Sequence, residues 1–147
     1  MQKLTWLVIA NSVEAKIYHI TKQEHTLVKT LTHEQGRLKS SELTADKQGA
    51  YKSGSSVHGQ FAPHTDPHEE EHIVFARELA HFLEHSHQQN EYKELILCAA
   101  PHFHGLVNKA LNKGVHSSIV KSIEKDYIPL PKDKLEAVIK TIIDELA

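Results

Sequence analysis

The sequence predicts a three-layer α/β domain built on a mixed five-stranded sheet in the order 3-2-1-4-5, and three observations carry that expectation. The run Leu4-Thr5-Trp6-Leu7-Val8-Ile9-Ala10 is almost unbroken in its apolarity, as a central strand covered on both faces requires. Two further strand-like segments follow at once over short links, which implies an antiparallel meander. After them, strand-like and helix-like segments alternate, the pattern of parallel strands joined by helical crossovers.

Asn11-Ser12 ends the first strand. Ala15 to Ile20 reads as the second, and Thr26 to His33 as the third, with Leu27, Lys29 and Leu31 expected on one face. Gln35 to Pro67 is of another kind. It holds Gly36, Gly49, Gly54 and Gly59 and the run Ser53-Gly54-Ser55-Ser56, and is expected to be a long, flexible loop. Asp66-Pro67 then reads as a helix start, an N-cap followed by proline in the first turn. Glu69, Glu70 and Glu71 complement the positive end of the helix dipole. Phe75, Ala76, Leu79, Phe82 and Leu83 form an apolar stripe at helical spacing, and the helix should fade near Gln88 to Asn90. Glu94 to Ala100 reads as a strand ended by Pro101, Phe103 to Leu111 as a short helix, and Ile119 to Ile123 as the last strand. Leu135, Val138, Ile139, Ile142, Ile143 and Leu146 mark a closing amphipathic helix. Right-handed crossovers make the last two strands parallel to the first. The result is the ribonuclease H-like arrangement, expected here as one domain spanning the chain.

Composition narrows the function classes. The 147 residues carry a net charge of −2 with histidine neutral, so no basic excess argues for generic nucleic-acid binding. The 13 histidines are the outlier, since protonating all of them takes the charge from −2 to +11. One cysteine, Cys98, excludes an intrachain disulfide and sits in a strand-like run as a small core residue. The apolar start is too short for an ordinary signal peptide or a membrane span, which makes the cytoplasm the expected address and membrane insertion unexpected. No GxSxG, Walker or GxGxxG pattern occurs. The first strand ends in Asn11, where a two-metal nuclease of this fold would be expected to carry a carboxylate.

Open α/β sheets bind ligands beyond the carboxyl ends of their parallel strands. Asn11 and Ser12, the segment with His102 and His104, and the start of the long helix with His64, Asp66, His68 and His72 are expected to meet there. His68 and His72 are four residues apart and share the Phe75/Leu79/Leu83 side by a count of 100° per residue. His81 and His85 have the same spacing on the opposite, solvated side. His68 and His72, with Asp66 or His64 and one of His102 or His104, would suit a divalent transition metal such as zinc. The structural alternative is that Asp66 caps the helix and the histidines bond to backbone at the sheet edge.

Several segments together resemble the bacterial host attachment protein family. These are Trp6 to Ser12, Ala15-Lys16-Ile17-Tyr18, the glycine-rich loop, Thr65-Asp66-Pro67-His68-Glu69, Phe75-Ala76-Arg77-Glu78-Leu79-Ala80, Ala100 to Leu106, and Lys125-Asp126. Members often carry aspartate where this chain has Asn11. That family in turn is similar to the central domain of archaeal and eukaryotic class-1 release factors, which place Gly-Gly-Gln on a long loop before a long helix. Here His58-Gly59-Gln60 stands in the comparable place, with His58 at the position of the first glycine. The resemblance implies a cytoplasmic protein acting on a ribosome- or RNA-associated partner. Gln60 would orient a water, and Arg37, Lys39, Lys47 and Lys52 would meet phosphates. A metal- or small-ligand-binding protein and a non-catalytic interaction module are the other two classes the sequence leaves open.

Overall fold

Strand β1, Thr5–Ala10, is buried at all six positions, because the sheet is covered on both faces where β1 lies at its centre. The computed structural model describes residues 4–33 and 67–146. The sheet order is β3-β2-β1-β4-β5, as the sequence predicts. Strands β2 (Glu14–Ile20) and β3 (His25–Thr32) run antiparallel in a meander, and β4 (Glu94–Ala99) and β5 (Ile119–Ile123) run parallel to β1. Alternation along β1 sends Trp6, Val8 and Ala10 to one core and Leu7 and Ile9 to the other.

Helix α1, Pro67–Gln88, covers the first face, burying Phe75, Leu79 and Leu83 against Val8, Ile17, Leu95 and Leu97. Two shorter helices complete that layer, α2 (Pro101–Ala110) and α3 (Lys113–Ser118). Helix α4, Lys132–Leu146, covers the second face with Leu135, Ile139, Ile142 and Ile143. Its approach segment adds Tyr127, Ile128 and Leu130 to that core. The described residues therefore form the three layers and the ribonuclease H-like strand order expected.

Several local endings follow from identifiable chemistry. Helix α1 stops where Asn90 takes φ 60°. The Asn90 amide donates to the His87 carbonyl and the Glu91 amide to the Ser86 carbonyl, a Schellman closure in which asparagine takes the place usual for glycine. Helix α2 begins with Pro101 in its first turn, so this proline both ends β4 and opens a helix two residues earlier than the apolar pattern indicates. Helix α3 is an element the sequence pattern does not announce. Asn112 caps it by accepting from the Val115 amide at 2.9 Å.

The expectation for β3 needs correction. A register shift opposite Ile17 and Tyr18 places Val28 as an extra residue, so Lys29 pairs with Ile17 but Leu27 pairs with Tyr18. Leu31 packs on the α1 side, whereas Leu27 stands opposite a residue of the other core and is half exposed. A bulge breaks the period of two on which the one-face expectation rested.

Candidate metal centre

The carboxyl ends of β1 and β4 lie side by side, with Ala10 paired to Ala99 and the Ala100 amide donating to the Ala10 carbonyl at 3.3 Å. From this edge β4 turns directly into α2, and the start of α1 lies against the start of α2. Phe75 of α1 stacks on Phe103 of α2 with ring centroids 5.7 Å apart, and both are almost fully buried. That apolar contact fixes the two helix starts relative to each other, and side chains from the first two turns of α1 and the first turn of α2 come together beside it.

They are Glu69, His72 and His102. His102 Nε2 lies 2.7 Å from Glu69 Oε1, and His72 Nδ1 lies 3.9 Å from the same oxygen. One donor atom from each of the three fits within 4.8 Å of the other two. Metal–ligand bonds of about 2.1 Å at tetrahedral angles put donor atoms about 3.4 Å apart. From 2.7 Å the Glu69–His102 contact would open by about 0.7 Å, and from 3.9 Å the Glu69–His72 contact would close by about 0.5 Å. Side-chain exposures of 33% for Glu69, 26% for His72 and 63% for His102 leave room for such rotations. Imidazole with carboxylate is a donor set for zinc and other divalent transition metals.

Two positive helix ends face this spot and oppose a cation by about 0.3–1 kcal/mol each. That opposition is small beside the apparent 10–16 kcal/mol of complete structural zinc sites. Read only as an ion pair, Glu69 with His102 contributes about 0–1 kcal/mol, as exposed pairs do.

A third histidine is held by other carboxylates of α1. His33, buried at the end of β3, sets Nε2 on a Glu71 carboxylate oxygen and Nδ1 3.5 Å from a Glu78 oxygen, with its ring against Phe75. Its own amide donates to the Val13 carbonyl. This contact ties α1 to the sheet, so Glu71 is occupied with orientation rather than with the three-residue cluster.

The sequence-predicted residues separate accordingly. His72 and His102 come together. His68, one turn earlier, is exposed. His104 is buried, with Nδ1 2.9 Å from Nδ2 of the Asn108 side chain, and does not join the cluster. Asn11 is engaged in holding the loop. Its Oδ1 accepts from the Val13 and Glu14 amides at 3.0 Å each, and its Nδ2 lies 3.3 Å from both carboxylate oxygens of Asp126. Ser12 is half-buried in the same turn. His81 and His85 are exposed. Gln60, Arg37, Lys39, Lys47, Lys52, His64 and Asp66 lie outside the described residues.

Glu69 is the residue sequence reasoning missed as a ligand, having read it only as a complement to the helix dipole. The available signal was Glu-x-x-His, Glu69 with His72, a spacing that places both side chains on one helix face.

Fold and edge together define an α/β domain with a ribonuclease H-like sheet and a histidine–carboxylate cluster where its parallel strands end. The family of proteins required for attachment to host cells matches residues 6–139, and the chain belongs to that family. A curated relative, the uncharacterized protein RP470 of Rickettsia prowazekii (strain Madrid E), is 33% identical over 95 residues, 63% of each chain. Two structures of S. cerevisiae Dom34, described as a translation termination-like factor involved in RNA quality control pathways and interacting with Hbs1, also match. They cover 97% and 95% of this chain but 35% of Dom34, at 12% and 13% identity and TM-scores of 0.34 and 0.35. Similarity at that level bears on no site or activity.

Proposed function

We propose that this host attachment family protein binds a divalent transition metal, zinc first among them, through Glu69, His72 and His102. The observation that carries the reading is the convergence of three donors from two helices, Glu69 and His102 being 33 residues apart in sequence. The proposal keeps His72 and His102 from the sequence-based ligand set, replaces His68 with Glu69, and assigns no role to Asp66.

Zinc titration calorimetry on the metal-free full chain tests it. His72→Ala and Glu69→Gln each lower affinity tenfold or more, whereas His68→Ala and His81→Ala leave it unchanged. Equal effects at all four positions, or no zinc binding by the parent, reject the site and leave an ion pair joining two helices. The ribosome- or RNA-directed reading rests on the family resemblance and on Gln60, Arg37 and Lys39. It predicts co-sedimentation with ribosomes at low salt and peptide release that is lost in Gln60→Ala.

A further inference from the structure

We infer that a metal held by Glu69, His72 and His102 keeps a solvent-facing coordination position that takes an anionic oxygen donor, the oxygen of a carboxylate or phosphate group. The inference rests on the metal-binding reading and specifies what the site would accept. Among the described residues the cluster offers three donor atoms, one fewer than tetrahedral zinc uses. Three protein ligands with one exchangeable position is the arrangement of zinc centres that act on ligands, whereas structural sites close the fourth position with protein.

Two features set the location and the charge of the added ligand. His102 is 63% exposed while the Phe75–Phe103 stack is buried, so the cluster opens to solvent on the His102 side and is backed by the apolar contact. A dication with two neutral imidazoles and one carboxylate carries a net charge of +1, which an anionic oxygen neutralises and a second cation would not. The same positive helix ends that oppose the metal favour this anion. Carboxylate and phosphate groups share the required chemistry, a compact oxyanion able to coordinate through one oxygen.

The test uses the full chain loaded with cobalt(II), whose visible absorption reports coordination directly. Inorganic phosphate and acetate are titrated separately, with sodium perchlorate matching ionic strength. The expected result is a saturable change in the cobalt bands with at least one of the two anions and none with perchlorate. A response to phosphate alone identifies a phosphate-bearing ligand, a response to acetate alone a carboxylate, and a response to both the shared oxyanion chemistry. Cobalt bands that form but ignore both anions overturn the open position while leaving metal binding intact. Failure of any cobalt band to form, with no zinc heat by calorimetry, overturns the metal reading itself.

Discussion

Replacing Asn11 with aspartate should destabilise the fold even though the two side chains are nearly isosteric. Asn11 accepts two backbone amides through Oδ1, and a carboxylate oxygen would do the same. The difference lies at the other terminal atom, where a donor 3.3 Å from both oxygens of Asp126 becomes a second carboxylate oxygen. Asp126 is itself held, its Oδ1 accepting from the Ile128 amide at 3.0 Å, so its freedom to turn away is limited. Two unit charges at that separation repel by about 1.3 kcal/mol at the dielectric of water, the appropriate limit for an exposed pair. Loss of the hydrogen bond to a charged acceptor adds about 1.5 kcal/mol. The N11D protein is therefore expected to be about 2–3 kcal/mol less stable than the parent. In N11D/D126N an amide again faces a carboxylate, and most of the loss returns, with a coupling energy of at least about 1 kcal/mol. Urea denaturation at low ionic strength, followed by circular dichroism, measures all four corners of the cycle. Zinc affinity stays unchanged, because Asn11 holds the loop and is not a metal ligand. An N11D protein within about 0.3 kcal/mol of the parent, or a double variant no better than N11D, would refute the reasoning.

Tyr92 tests the other end of the first core. Its hydroxyl donates to the Leu83 carbonyl at 2.6 Å while its ring stacks on Trp6 at 4.8 Å. Tyr92→Phe keeps the stack and removes the hydroxyl's bond to a carbonyl within α1, at a cost of about 0.5–1.5 kcal/mol. Urea melts followed by the fluorescence of Trp6, the single tryptophan, should show that loss with little change in the folded spectrum, and a loss below about 0.5 kcal/mol would argue against it. Burial raises the Cys98 thiol from 9.0 to about 12, with Lys121 pulling weakly the other way. A native-state thiol titration at pH 8 should therefore find Cys98 unreactive, with a thiolate population about a thousandfold below that of the unfolded chain, and denaturant should release it. The unfolded thiol ionises near 9 while the folded one keeps its proton, so this group's contribution to stability is lost progressively as pH rises from about 9 to about 12. Native labelling as fast as that of a free peptide thiol would contradict the buried placement.

Much of the fold was legible because it depends on local pattern. A six-residue strand apolar at nearly every position can lie only where both faces are covered, and β1 does. The Phe75, Leu79 and Leu83 stripe named the buried face of α1, and the short links named the meander. The order 3-2-1-4-5 satisfies right-handed crossovers, and the sheet has it. The bulge at Val28 and the short helix α3 were not legible, because a bulge depends on the partner strand and α3 rests on one cap and one turn of buried contacts. At the site, the sequence indicated which edge would gather the histidines, since strand direction fixes where α1 and α2 begin. Which donors meet depended on a distance set by packing. The Phe75–Phe103 contact brings α1 and α2 close enough for Glu69 to reach His102, 33 residues further along the chain, while His68 and His104, chemically indistinguishable in the sequence, turn one to solvent and the other into the protein. Residue type and helical spacing propose ligands, but only the relative placement of two helices decides which nitrogen and oxygen atoms lie within a metal's reach.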